Sequence, residues 1–168
     1  MNLYLIRHAL AAEAESPEAD DSQRPLTSKG RRKMRQAADG LKTLRTRFDL
    51  ILTSPYLRAT QTARIVAKKF AMEKSAVIVT EHLAPSGSAD QLVTEICEKY
   101  GSLNNVALVG HEPYLSGLAS MLVAGDAGVS ILMKKGSVCC LSTEDLQYGR
   151  CAVLEWLLSA AQLGKISG

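Results

Sequence analysis

The sequence predicts an α/β fold, a three-layer α/β/α sandwich whose sheet is mainly parallel, with antiparallel strands near the C-terminus. Short apolar runs alternate along the chain with segments of helical periodicity, a pattern typical of βαβ units. The chain has 168 residues, 46% of them hydrophobic, so it can bury one sizeable core and is too short for two. We therefore expect residues 1–168 to form a single domain.

Six apolar runs are predicted as strands, and most of the segments between them as helices. The predicted parallel strands are 2–7, 50–53, 76–80 and 106–109, and the predicted C-terminal hairpin pairs 137–142 with 151–157. Four helices are predicted. The first follows Thr27 as its N-cap and runs to about Arg45, and the second has Pro55 in its first turn. The third covers 89–100, and the fourth runs from Pro113 to about Ala124. Residues 8–26 are predicted as a long loop with Pro17 and Pro25, and the last ten residues as helical or frayed.

The charge and cysteine content narrow the class of protein. A formal charge of +3 and a pI of about 8.7 are too mildly basic to indicate nucleic acid binding, and the basic run within 29–47 is interpreted as a solvated helix face. The N-terminus does not resemble a secretory signal, and no run approaches the length of about 20 apolar residues that a membrane span needs. The four cysteines form no CxxC pair and are interpreted as reduced core thiols, which predicts a cytoplasmic protein.

Charged and imidazole side chains lie at or just after the ends of the predicted parallel strands. In chain order they are Arg7 and His8, Arg58, Glu81 with His82, and His111. Because the carboxyl ends of parallel strands meet at one edge of a sheet, we expect these side chains to converge. Arginine donors match phosphate oxygens, and a neutral imidazole is a competent nucleophile toward phosphorus. The pattern therefore predicts an anion site.

A metal site is the competing interpretation of paired histidines. Only Glu81 or Glu112 offers a nearby carboxylate, and two arginines beside a divalent cation would oppose its binding. The sequence contains no HxH or HExxH spacing. We therefore predict that no metal is bound.

Four segments resemble motifs of the histidine phosphatase superfamily, the group that includes cofactor-dependent phosphoglycerate mutases and acid phosphatases. They are Leu5-Ile6-Arg7-His8-Ala9, where alanine replaces the glycine of the RHG motif; Arg24-Pro25-Leu26-Thr27-Ser28-Lys29-Gly30, similar to PLTxxG; Ser54-Pro55-Tyr56-Leu57-Arg58-Ala59-Thr60-Gln61-Thr62-Ala63, similar to SPxxRAxQTA; and Val109-Gly110-His111-Glu112-Pro113, similar to the late GH motif. The short chain and the Arg24-Pro25-Leu26-Thr27 segment look most like SixA-type phosphohistidine phosphatases.

The resemblance implies a phosphatase in which His8 is phosphorylated during turnover and no cofactor is required. It implies that Arg7, Arg58 and His111 complete the phosphate pocket, and that Arg24 borders it.

The proton donor and the substrate stay open at this point. The candidate acids are Glu81, His82 and solvent. The other interpretation of Glu81 is a solvent-facing carboxylate with no role in catalysis. The implied partner is a protein phosphohistidine or a small phosphate compound. A phosphate- or phosphoprotein-binding module without turnover is the alternative from another class. The short chain argues against the substrate cap of a mutase, and a monomer is favoured.

Overall fold

A six-stranded mixed sheet lies at the centre of the fold in the computed structural model, which describes residues 1–14, 16 and 18–167. Glu15 and Pro17, within the predicted 8–26 loop, and Gly168 lie outside the described residues. The strands are β1 (Asn2–Arg7), β2 (Leu50–Thr53), β3 (Val77–Val79), β4 (Asn105–Gly110), β5 (Val138–Ser142) and β6 (Val153–Leu158). Their order is β3-β2-β4-β1-β5-β6. The first four strands are parallel to one another. Strand β5 pairs antiparallel with β1, and β6 pairs antiparallel with β5, which confirms the predicted fold class.

Helices cover both faces of this sheet. They are α1 (Ser28–Thr43), α2 (Leu57–Lys69), α3 (Ala89–Tyr100), α4 (Tyr114–Ala124) and α5 (Ala160–Ile166). Buried side chains of α1, α2 and α5 join one core cluster, and those of α3 and α4 join the other. The α/β/α layering follows from this division.

The alternation of side chains along β1 explains the two cores. Leu3 and Leu5 belong to the cluster under α3 and α4, whereas Tyr4 and Ile6 belong to the cluster under α1, α2 and α5. Successive side chains of a strand point to opposite faces of the sheet. A parallel strand covered on both faces is therefore apolar throughout, as its sequence indicated.

Several predicted element boundaries differ from the structure by one or two residues, and three of them have a visible physical reason. Pro55 does not lie in the first turn of α2: the Ser54 hydroxyl accepts a hydrogen bond from the Tyr56 amide at 3.3 Å, Tyr56 is extended, and the helix begins only at Leu57. The third strand is shorter than predicted, because residues 74–76 form a 3₁₀ turn. Helix α1 ends before Arg45, whose φ of 57° is left-handed.

The cysteine prediction is right for β5 and wrong for α3. Cys139 and Cys140 are buried, and burial raises the pKa of their thiols to about 12 and about 11. Cys97 is exposed, because the buried face of α3 consists of Leu92, Val93 and Ile96. Among the described residues, no helix is long and apolar enough to span a membrane.

Candidate phosphoryl-transfer site

Two histidines and one arginine meet at the carboxyl edge of the parallel strands. Strands β1 and β4 are neighbours, with Arg7 opposite Gly110, so the residues that follow them are adjacent. The ring centroids of His8 and His111 are 5.1 Å apart. Arg58 comes from the first turn of α2, after β2. All three side chains are buried, with exposures of 7%, 2% and 6% for His8, His111 and Arg58. The structure thus brings together residues that are about 100 positions apart in the sequence.

The hydrogen bonding of His8 determines which ring nitrogen carries the proton. Its Nδ1 lies 2.8 Å from the carbonyl oxygen of Ala9. A carbonyl oxygen only accepts, so Nδ1 must be the donor, and the neutral ring keeps its lone pair on Nε2. Burial lowers the pKa of His8 from 6.5 to about 4, and the positive charges of Arg58, Arg7 and Lys135 act in the same direction. At neutral pH His8 is therefore uncharged, with Nε2 available as a nucleophile.

Ser54 forms a hydrogen bond with the ring of the second histidine. Its hydroxyl lies 2.7 Å from His111 Nε2 and accepts from the Tyr56 amide. A hydroxyl has one proton and two lone pairs, so it can accept from the amide and donate to Nε2; in that arrangement Nδ1 of His111 carries the ring proton. That Nδ1 is buried and has no partner among the described residues. Burial, followed by the charges of His8 and Arg58, lowers the pKa of His111 to about 3.

Arg7 lies at the end of β1, and of its guanidinium nitrogens only Nη1 donates to another described residue. Its Nη1 donates to the carbonyl of Met133 at 2.6 Å, whereas its buried Nε has no partner among the described residues. The amide of Gly136 donates to the carbonyls of both Arg7 and His8 at 3.1 Å. The segment before β5 therefore holds the backbone of both residues in place.

Arg58 and Arg24 are joined through a carboxylate that we did not predict. Asp21 Oδ2 accepts from Arg58 Nη2 at 2.8 Å, and Asp21 Oδ1 accepts from Arg24 Nη1 at 2.7 Å. The Asp21 carbonyl also accepts from Arg58 Nη1 at 2.6 Å. Burial raises the pKa of Asp21, but the hydrogen bonds from the two arginines outweigh it and keep that pKa below its usual value. An ionised Asp21 thus links the 8–26 loop to the site.

The segments with motif resemblance fasten this loop to the helices. The side chain of Gln61 accepts from the Leu26 amide at 2.8 Å, and Thr62 Oγ1 accepts from the Ala9 amide at 3.1 Å. A Cβ on Gly30 would overlap the carbonyl of Leu10, so this close approach of loop and helix needs glycine. These contacts position the chain on either side of His8.

The candidate proton donors lie in a turn next to the end of β4. Glu81 and His82 belong to a 3₁₀ turn after β3, and Glu81 is exposed. The side chain of Glu81 makes no hydrogen bond or ion pair with any described residue. Leu83 of the same turn lies beside Gly110, the residue before His111, so the turn packs against the end of β4. The role of Glu81 in catalysis stays a prediction.

Asp21 and Ser54 are the site residues that sequence analysis missed. Asp21 was one of several acidic residues in a loop, and only its placement between two arginines distinguishes it from them. Ser54 lies inside the segment that resembles SPxxRAxQTA, so the motif itself was the available signal.

The geometry suits an anion rather than a cation. The charges of Arg7 and Arg58 act on the neutral His8, and the ring of His111 lies beside it, although Asp21 binds Arg58. Positive groups and N–H donors held in this way stabilise a transferring phosphoryl group. Tyr56 packs against both His111 and Arg58, with the Arg58 guanidinium carbon 4.9 Å from the ring centroid. Within the described residues, no cluster of three or more His, Cys, Asp or Glu side chains is arranged to hold a metal ion.

The chain resembles known proteins both in sequence and in structure. The family model of the histidine phosphatase superfamily (branch 1) matches residues 3–84. The phosphohistidine phosphatase SixA of Escherichia coli is 31% identical over 128 residues, 75% of this chain and 76% of that protein. An uncharacterized protein of Picosynechococcus is 36% identical over 140 residues, 82% of each chain. The structure of the protein histidine phosphatase SixA complexed with tungstate matches with a TM-score of 0.83 and 25% identity, covering 97% of this chain and 99% of that one. The chain belongs to the histidine phosphatase superfamily.

Proposed function

We propose that this chain is a metal-independent protein phosphohistidine phosphatase with His8 as its nucleophile. The observation that carries the proposal is the state of His8: it is neutral, its Nδ1–H is engaged by the Ala9 carbonyl, and its Nε2 is free beside cationic donors. The 31% identity to SixA of Escherichia coli supports the same substrate class.

The reaction proceeds by two displacements at phosphorus. In the first, His8 Nε2 forms a bond to phosphorus while the phosphorus–nitrogen bond of the substrate breaks, and the substrate imidazole leaves neutral with a proton that it takes from solvent. In the second, water displaces His8 and releases inorganic phosphate. In this mechanism the phosphoryl oxygens are held in both steps by Arg7 Nε, by His111 Nδ1 and by the N–H groups of Arg58 that do not bind Asp21.

The carboxylates near the site favour phosphohistidine over an alkyl phosphate ester. An alkoxide leaving group needs an acid, and such help is worth about 10²–10⁴-fold. Among the described residues, Asp21 is the one carboxylate bonded to a pocket side chain, and its lowered pKa makes it a poor donor. Glu112 is occupied by the Ser116 amide at 3.0 Å. An imidazole leaves without such help, so phosphohistidine suits this site.

The test compares two peptides of one sequence, one with phosphohistidine and one with phosphoserine at the same position. We expect kcat/KM for phosphate release to be at least about 100-fold higher on phosphohistidine, in line with the value of a missing acid. We expect Glu81→Gln to leave the phosphohistidine rate nearly unchanged. If Glu81 is the acid for esters, the same variant loses about 10²–10⁴-fold on phosphoserine. Equal rates on the two peptides would instead indicate a general phosphomonoester phosphatase.

The nucleophile is tested on the protein itself. Rapid acid-free quenching during turnover should trap acid-labile phosphate on the wild-type chain and none on His8→Asn. His8→Asn should also lose several orders of magnitude in rate. A chain that binds the phosphohistidine peptide but never acquires phosphate would be a binding module.

A further inference from the structure

A groove lined with lysines lies directly beside the phosphate pocket. It has a volume of ≈ 460 Å³, and its charged lining residues are Arg7, Lys29, Lys33, Lys134 and Lys135. None of the residues that line it is acidic. Arg7 belongs to both the groove and the pocket, so a molecule that reaches His8 extends naturally into the groove.

Hydrogen bonds fix one wall of this lysine groove to the catalytic strand. Lys134 and Lys135 lie in a turn closed by the Ser137 amide, which donates to the Lys134 carbonyl at 2.8 Å. Gly136, with a φ of +78°, donates its amide to the carbonyls of Arg7 and His8. The charge of Lys135 is close enough to lower the pKa of His8. The turn is therefore held at the edge of the active site.

The four lysines are exposed and unneutralised. None of them forms an ion pair within the described part of the chain, whereas Lys69 and Lys99 elsewhere bind Asp39 and Glu95. Clustered like charges repel one another, and an incoming anionic ligand relieves that repulsion. Lys29 and Lys33 project from α1 within the basic run that sequence analysis treated as a solvated face.

We propose that the lysine groove binds an acidic segment of the protein that carries the phosphohistidine, next to the phosphorylated residue. This inference rests on the proposed function and narrows its substrate class. A neighbouring cavity of ≈ 300 Å³ shares Lys134 and adds Leu132, which is 74% exposed. An exposed leucine beside the cations favours a polypeptide, which brings apolar side chains, over a small polyphosphate.

The test uses two phosphohistidine peptides whose four residues beside the phosphohistidine are all Glu or all Gln. The groove variant is Lys29→Gln/Lys33→Gln/Lys134→Gln, which leaves Arg7 and Lys135 intact because they act on the pocket. The matched control, Lys42→Gln/Lys68→Gln/Lys74→Gln, removes the same charge from exposed positions that do not line the groove. A fluorescent, phosphate-free Glu peptide measures binding independently of turnover.

We expect the wild type to prefer the Glu peptide by about tenfold in kcat/KM at low salt, since each exposed ion pair contributes a small factor. That preference should fall to about one in the groove variant, persist in the control variant, and weaken as salt is added. The proposal would be overturned if the wild type hydrolysed the two peptides at equal rates. It would also be overturned if the groove variant and the control variant lost the preference for the Glu peptide equally. Competition by tripolyphosphate without binding of the Glu peptide would overturn it as well.

The fluorescent peptide separates the two proposals. If neither phosphohistidine peptide is hydrolysed, the proposed function fails, and anisotropy alone decides on the groove. Binding of the Glu peptide to the wild type that is lost in the groove variant supports the groove, and an absence of binding refutes it.

Discussion

Replacing His8 by asparagine should change how the stability of the protein depends on pH. The folded-state pKa of His8 is about 4, against 6.5 for an unperturbed histidine. Below pH 6.5 the unfolded chain therefore binds a proton that the folded chain does not, so folding loses stability as the pH falls toward 4. Asparagine does not titrate, and its amide can still donate to the Ala9 carbonyl, so it removes this contribution with little other change.

The magnitude follows from the two pKa values. With pKa values of 6.5 unfolded and about 4 folded, the contribution of His8 to the free energy of unfolding falls by about 2 kcal/mol between pH 7 and pH 5. His111, with a folded pKa of about 3, adds a further loss of about 2 kcal/mol in the same window, and this loss persists in His8→Asn. The wild type should therefore lose about 2 kcal/mol more than the variant.

Urea unfolding of both proteins at pH 7 and pH 5 measures this difference. Carboxylates titrate in both proteins and cancel in the comparison, and His82→Asn controls for loss of a histidine outside the pocket. If the gap between wild type and His8→Asn is the same at both pH values, burial and the arginines do not keep His8 neutral. The electrostatic account of the nucleophile would then be wrong.

Three further predictions concern the site and its support. Ser54→Ala should lower kcat on the phosphohistidine peptide by about tenfold, because His111 loses the hydrogen bond that holds its ring; an unchanged kcat would remove Ser54 from the mechanism. Gly40→Ala should destabilise the fold by about 1–3 kcal/mol in urea unfolding, because the added Cβ would overlap the backbone of Leu163 and push α5 from α1. Helix propensity alone would make Gly40→Ala about 1 kcal/mol more stable than the wild type, and such a gain would contradict the packing of α5 against α1. Complete chelation by EDTA should leave turnover unchanged, whereas a loss restored by one specific metal would show that the site needs a cation.

Local patterns in the sequence were enough to predict the architecture. Leu3 to Ile6 are apolar without interruption because β1 is buried on both faces, and this pattern is visible without any tertiary information. Thr27 was predicted as the N-cap of α1, and its hydroxyl indeed accepts from the Gly30 amide at 2.9 Å. The positions of His8 and His111 after strands also follow from local pattern, since the carboxyl ends of parallel strands share one edge.

The electrostatic state of the site depended on contacts that only the folded chain makes. Asp21 bonds to Arg58 across 37 positions, and Lys135 reaches the surroundings of His8 from more than 120 positions away. Such pairings are set by which strands are neighbours and how the loops close over them, and a local sequence pattern carries no record of either. The chemistry of each residue was therefore readable from its type. Its protonation, its hydrogen-bond partner and the charge around it were decided by burial and long-range packing.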